Sequence, residues 1–229
     1  SVSAFLLNRS SDLEIPVSSG LTWERSIQSN LGLDLTFLNG RLDFSAEGYI
    51  RDTKDMLTAG EPLPSVYGAS SPQENVADLR TLGYEFTISW KDSFKLAGKP
   101  FHYGASLVFS DYVSYITRFN NRDKFFAKNY WVGMKYGDIW GYHVDGLFAT
   151  DEEAKNYAVD QSKVNDAQIF PQGLFAGDMK FADLDGDGAI DKGAEMVGES
   201  GDWQIIGNSK PRYNYGVNLN ASWNGFDHL

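Results

Sequence analysis

Ile27-Gln-Ser-Asn-Leu-Gly-Leu-Asp-Leu-Thr-Phe-Leu-Asn-Gly-Arg-Leu-Asp-Phe-Ser-Ala-Glu-Gly-Tyr-Ile-Arg51 decides the fold. Successive side chains of a strand point to opposite faces, so a two-faced strand reads as strict alternation. Ile27, Leu31, Leu33, Leu35 and Phe37 share one parity. Gln28, Asn30, Gly32, Asp34 and Thr36 share the other. Asn39-Gly40 follows, the strongest short hairpin signal, because both residues tolerate the positive φ that a tight turn demands. Alternation then resumes, with Leu42, Phe44, Ala46, Gly48 and Ile50 opposing Asp43, Ser45, Glu47, Tyr49 and Arg51. The reading is two antiparallel strands, about 24–38 and 41–53, joined by a turn at 39–40.

The same pattern recurs three times outward from this hairpin. In 81–92, Leu82, Tyr84, Phe86, Ile88 and Trp90 oppose Thr81, Gly83, Glu85, Thr87, Ser89 and Lys91. In 101–117, Phe101, Tyr103, Ala105, Leu107 and Phe109 oppose His102, Gly104, Ser106 and Ser110. Val108 interrupts the polar face there, and Asp111 falls on the apolar parity. In 211–224, Tyr213, Tyr215, Val217, Leu219, Ala221 and Trp223 oppose Asn214, Gly216, Asn218, Asn220, Ser222 and Asn224. Ser1–Asn8 is a further short strand candidate, and Arg9–Gly20 reads as loop. The connections alternate in length: short at 39–40 and 93–100, long at 54–80 and 118–210. The first long one carries Pro62, Pro64 and Pro72. In the second, Thr150-Asp-Glu-Glu153 has the form of a capping box, and Ala154, Tyr157 and Ala158 give a short helical face.

Strands this long exceed the ordinary mean of about 5–6 residues and reach the roughly 9–11 needed to cross a bilayer. Aromatic residues cluster at strand ends, where rings favour the headgroup level. Short turns on one side and long loops on the other are the outer-membrane pattern. The expected fold class is therefore all-β: an antiparallel transmembrane β-barrel segment with long extracellular loops containing a short helix. Residues 1–229 would form a partial barrel with periplasmic turns at 39–40 and 93–100 and extracellular loops at 54–80 and 118–210. A soluble antiparallel sheet with one solvated face alternates equally well. Five strands cannot close on themselves, and open edges in lipid cost several kcal/mol per unpaired backbone group, so the reading requires a larger chain.

Composition narrows the function classes. The chain has 229 residues, no cysteine and a net charge of −11. Residues 145–202 hold 14 acidic residues and 4 lysines, a net −10, which leaves −1 for the remainder. A basic face for nucleic acid is missing. No run of 18 apolar residues exists for a membrane helix, and no signal peptide is visible at Ser1.

The acid is concentrated in Phe181-Ala-Asp-Leu-Asp-Gly-Asp-Gly-Ala-Ile-Asp191. Hard cations take several oxygens at short range, and alternate aspartates with turn glycines supply them. In the EF-hand register Asp183, Asp185 and Asp187 take positions 1, 3 and 5. Gly188 takes the turn, Ala189 offers its carbonyl at 7, and Asp191 stands at 9. Position 12 falls on Ala194, with Glu195 one residue late. The candidate ligands of a structural Ca²⁺ are thus Asp183, Asp185, Asp187, Ala189, Asp191 and Glu195. The stretch reads equally as an acidic turn ordered by Asx-type hydrogen bonds.

The order of several stretches resembles the SusC/RagA-type TonB-linked outer membrane transporters, in the C-terminal part of their barrels. They are Trp23-Glu24 through Asn30-Leu-Gly-Leu-Asp34, Tyr49-Ile-Arg-Asp-Thr-Lys-Asp-Met-Leu57, Leu82-Gly-Tyr-Glu85 and Trp140-Gly-Tyr-His-Val-Asp-Gly-Leu-Phe148. Gly177-Asp178 leading into Asp183–Asp191, Ile206-Gly207, Pro211-Arg-Tyr-Asn-Tyr-Gly216 and Gly225-Phe-Asp227 complete them. The family usually reads Asp-Leu-Asn-Gly-Asp-Gly, so Asp185 here places a charge where an amide is usual. The resemblance implies part of a 22-stranded barrel with an N-terminal plug. It also implies energy-coupled uptake of oligosaccharides or peptides across a Gram-negative, Bacteroidetes-like outer membrane. Its partners would be a SusD-like surface lipoprotein, outer membrane lipid, and the TonB complex through an N-terminal region absent from this sequence. The alternative function is a soluble β-rich surface glycan-binding module with a calcium-stiffened loop.

No catalytic constellation emerges. His102, His143 and His228 are far apart, Gly198-Glu-Ser-Gly201 lacks the spacing of a nucleophile elbow, and Ala97-Gly-Lys-Pro100 is not a P-loop. No pair of acids is singled out for glycoside hydrolysis. Trp131, Tyr136, Trp140, Tyr142 and Trp203 can stack on sugars or form a small loop core.

Overall fold

A computed structural model describes residues 20–59, 73–164 and 173–228. The strand candidate at Ser1–Asn8 and the prolines at 62, 64 and 72 lie outside the described residues. The strands are β1 Arg25–Phe37, β2 Leu42–Ala59, β3 Gln73–Leu96, β4 Lys99–Arg118, β5 Asp138–Tyr142, β6 Val144–Leu147, β7 Met179–Phe181, β8 Trp203–Asn208, β9 Asn214–Trp223 and β10 Phe226–His228. One short helix, α1, covers Asp151–Lys155.

Six strands form one antiparallel sheet in the order β1-β2-β3-β4-β9-β10. The expectation of a transmembrane β-barrel segment is corrected here. This sheet is open, with β1 at one edge and β10 at the other, and no sheet of the described residues closes into a barrel. The physical reason is strand number: closure around a filled or wet interior takes about eight strands or more, and β10 is a three-residue stub.

Register turns the alternation of single strands into two continuous faces. Leu33, Ala46, Phe86, Phe109 and Tyr215 lie in one row across five strands, and Leu35, Phe44, Ile88, Leu107 and Val217 in the next. Leu31 is 82% exposed, Leu219 65% and Tyr215 79%, so the apolar side has no protein cover among the described residues. Cross-strand rings support the rows: Phe44 and Phe86 have centroids 6.4 Å apart, Tyr84 and Phe109 6.2 Å. The opposite side carries Gly32, Glu47, Glu85, Ser110 and Asn214 in one row.

β2 and β3 run on into the region expected as loop. Asp55 sits in the left-handed region at φ 58°, and the β2–β3 register shifts between Thr53 and Met56. A bulge of this kind adds a residue to one strand and inverts its parity. Ion pairs carry the strands past it. Arg80 grips Asp52 with two hydrogen bonds of 2.8 and 3.0 Å. Arg118 donates to both Asp55 and Asp78 at 2.8 Å, and Lys54 to Asp78 at 3.2 Å. At the other end β3 and β4 meet through Ala97 and Gly98, with φ of 49° and 77°. Two consecutive positive values are the two-residue hairpin geometry. Asn224 and Gly225, with φ of 50° and 88°, make the same turn between β9 and β10.

Asp111, on the apolar parity, is 2% exposed because Arg212 grips both of its oxygens. Asp111 also accepts the backbone N–H of Tyr213, which is held at φ 56°.

The chain between β4 and β9 folds into a unit of its own, described for 119–164 and 173–209. β5 pairs with β8 and β6 with β7. The unit starts as an extension of β4: Ile116 N–H donates to Met134 O at 2.9 Å, and Tyr136 N–H to Ser114 O at 2.8 Å. Ile116, Trp131 and Met134 are its buried centre, with Phe126, Trp140 and Val197 packed around them. The rings of Phe126 and Trp140 are 4.6 Å apart, those of Phe126 and Trp203 4.8 Å. Trp131, Trp140 and Trp203 therefore build the core of the unit. Thr150 caps α1 by accepting from Glu153 N–H at 3.1 Å, while Glu153 accepts from Ala149 N–H at 2.9 Å.

Candidate functional site

The acidic stretch folds around its own backbone. Asp183 accepts from Gly186 N–H at 2.7 Å and from Gly188 N–H at 3.0 Å. Asp185 accepts from Asp187 N–H at 3.2 Å, and Asp187 from Ala189 N–H at 2.8 Å. Gly186 and Gly188 hold φ of 78° and 87°, a region in which a side chain is strained. These turns draw one oxygen each from Asp183, Asp185 and Asp187 to within 4.8 Å of one another. Asp183 is half-buried and the other two are exposed. Such a trio of hard oxygens can hold a cation such as Ca²⁺.

The remaining expected ligands stand differently. Asp191 spends one oxygen on Lys163 Nζ at 2.6 Å and the other on Gly193 N–H at 2.7 Å. Ala189 is tied through a bridge to Asp160. Glu195 has φ 56°, and its carbonyl accepts from Phe126 N–H at 2.9 Å. The structure thus brings three of the six together and leaves the other three outside the trio.

Charge within the loop is unbalanced. The hydrogen bond from Asp187 N–H favours the charged form of Asp185. Partial desolvation and the carboxylates of Asp187, Asp202 and Asp183 outweigh it, and the acid is held above its usual range. Lys163 and the Gly193 N–H hold Asp191 below its usual range.

Asp202 escaped the sequence reading. It is 1% exposed, and its two oxygens accept from Leu184 N–H and from Asp191 N–H, one at each end of the loop. The backbone of Asp160 clips the same loop from outside, its N–H donating to Gly188 O at 2.9 Å and its carbonyl accepting from Ile190 N–H at 2.8 Å. Asp202 follows Asp191 by eleven residues in no periodic pattern, so only the folded chain shows the role. The close approach of Gly193 and Gly201 was equally hidden: a Cβ on Gly201 would lie 2.7 Å from an Asp191 oxygen and 2.8 Å from Gly193 N.

Long antiparallel strands with one bare apolar face, one polar face and a folded insertion define a class: an open antiparallel sheet with a folded unit between β4 and β9. The family model described as "TonB dependent receptor-like, beta-barrel" matches residues 12–228, and the chain belongs to that family. It is 28% identical to TonB-dependent receptor P3 of Formosa agariphila over 92% of its length, and 27% identical to TonB-dependent receptor SusC of Bacteroides thetaiotaomicron over 91%. Each match spans 20% of the relative, so the chain covers about one fifth of these proteins. Its fold is similar to part of the RagAB peptide importer in its open-open state. The TM-score is 0.60 at 20% identity, over 90% of this chain and 20% of the other. The family is one of TonB-dependent receptors, not of enzymes.

Proposed function

We propose that this chain is the sheet-and-insertion part of a TonB-dependent transporter in a Gram-negative outer membrane. The whole protein would import oligosaccharides or peptides together with a SusD-like surface lipoprotein. The observation that carries this reading is the pair of faces. Rows such as Leu33–Ala46–Phe86–Phe109–Tyr215 lie bare on one side, and Gly32–Glu47–Glu85–Ser110–Asn214 on the other. An apolar face of this extent on a soluble protein would be an aggregation surface; against hydrocarbon it is solvated. The insertion, with its excess of acid, would face the outside and meet lid and cargo. The test is deletion of the full-length gene, expected to abolish growth on one glycan or peptide class and to be restored by complementation. Undiminished growth on every such nutrient would contradict it.

The second part of the reading concerns the acidic loop. Asp183, Asp185 and Asp187 would ligate a structural Ca²⁺. Ala189, water, or Asp191 and Glu195 turned from their present positions would complete the six to eight oxygens Ca²⁺ prefers. Without a cation, the raised Asp185 makes the loop more stable in acid. That contribution falls as pH rises from the ordinary carboxylate range through the raised value. Asp191 acts oppositely: its contribution is present above the ordinary range and lost as pH falls through its lowered value. A cation needs the charged carboxylates, so Ca²⁺ should protect 183–195 from proteolysis at neutral pH and lose that effect near pH 4. Identical cleavage with calcium and with chelator at pH 7 would remove the cation from the account.

A further inference from the structure

We propose that the cavity between β4 and the insertion is a binding site for the carboxylate group of a small solute. The cavity is about 180 Å³, room for roughly six water molecules. That admits one charged group with the atoms that carry it, not a run of sugar rings. Its lining includes Lys135, Lys210 and Arg212, together with Tyr136, Asn208 and Asp138.

The charges of the lining decide the ligand. Arg212 is already compensated by Asp111. Asp138 accepts from the Asn208 side-chain amide at 2.9 Å. Lys210 Nζ stands 4.6 Å from the centre of the Tyr136 ring. Among the described residues, no carboxylate pairs with Lys135 or Lys210. Two amines against one carboxylate leave a single positive charge, which matches a monoanion. Elsewhere in the insertion Lys163 and Lys180 are spent on Asp191 and Glu153. Two ammonium groups facing two carboxylate oxygens form charge-assisted hydrogen bonds, and neutral solutes lose that gain. The tyrosine face beneath Lys210 fixes the amine and offers an apolar wall to the rest of the ligand.

The site is placed by the fold. Tyr136 N–H binds Ser114 O at 2.8 Å, and Ser209 N–H binds Gly137 O at 2.8 Å, so the segment at 136–137 is held to β4 and the last residue of the insertion is held to that segment. Binding here does not depend on the transport reading, because it is measured without energy coupling. A failure of one leaves the other standing.

Two sources of the carboxylate are open to test, an acidic sugar and a peptide C-terminus. The probes are galacturonate against galactose, and N-acetyl-dialanine against N-acetyl-dialanine amide, titrated by calorimetry into the full-length protein in detergent micelles at low salt. At least one acid should bind about tenfold tighter than its uncharged-terminus counterpart. Lys135→Gln and Lys210→Gln should each erase that margin, Lys135→Arg and Lys210→Arg should keep most of it, and the distant Lys95→Gln should leave it intact. The pair that shows the margin names the source. If neither acid outbinds its counterpart, or if both Gln variants keep the margin, the proposal is overturned. The Arg variants keep the positive charge and so report on binding even where a Gln variant folds poorly.

Discussion

Asp202→Ala is expected to free the acidic loop from the body of the insertion. The Asp202 carboxyl group is almost wholly enclosed and takes the N–H of Leu184 and the N–H of Asp191. Alanine leaves both part-buried donors without their acceptor. Each unsatisfied donor shielded from water costs about 1–3 kcal/mol, so the loss for the pair is about 2–6 kcal/mol. The loss is local, because the sheet shares no contact with these two bonds. Hydrogen exchange at Gly186, Gly188 and Ile190 should therefore accelerate by about 30-fold or more, while β2 and β3 stay protected. Asp202→Asn keeps one acceptor and should fall between. Unchanged exchange in Asp202→Ala would show that Asp160 alone holds the loop.

Arg212→Ala should produce the largest loss in the sheet. It removes the guanidinium that grips both oxygens of Asp111, a residue 2% exposed while Arg212 covers it. Breaking a buried pair from one side costs about 3–5 kcal/mol; the Arg212 side chain is 34% exposed, which reduces the figure to about 2–3 kcal/mol. The stacking of Arg212 over Tyr213, 5.0 Å from the ring centre, goes with it and adds a few tenths. Tyr213 then keeps its strained φ of 56° with a weakened anchor. Loss should register as a lowered unfolding midpoint of the full-length protein and faster exchange along β9. Adding Asp111→Leu to Arg212→Ala should recover most of the loss, since the stranded acid is then gone. A double variant as damaged as the sum of its parts would mean that the pair is not the cause.

Much of the sheet was legible because a period of two survives wherever one face is apolar. The pairs Leu33–Ala46 and Phe86–Phe109 could be assigned to a face before any partner strand was known. Legibility failed at Asp55, where one left-handed residue inverts the parity and makes Met56 and Leu57 look like loop. It failed again at Asn224-Gly225, although the same dipeptide had marked the turn at 39–40; here it opens β10 rather than ending the sheet. That the sheet is a segment of a transmembrane barrel was inferred from strand length and loop asymmetry. Neither property fixes the number of strands, and the sheet is open. In the insertion, the carboxylate trio was visible as spacing along the chain. Lys163, Asp160 and Asp202 were not, because they reach the loop through folding from 28, 29 and 11 residues away.

The two faces of the sheet carry the functional reading, so their surroundings are the quantity to measure. Spin labels placed singly at Leu33, Phe86 and Leu219, and at Asn30, Glu85 and Asn218, would be compared in the full-length protein reconstituted into liposomes. Labels on the first set should be relaxed by oxygen and shielded from a water-soluble nickel chelate. Labels on the second set should show the reverse, so that accessibility alternates with a period of two along each strand. If the first set is shielded from both reagents, the apolar rows face a dry protein interior, and the proposal of a sheet standing between lipid and water is contradicted.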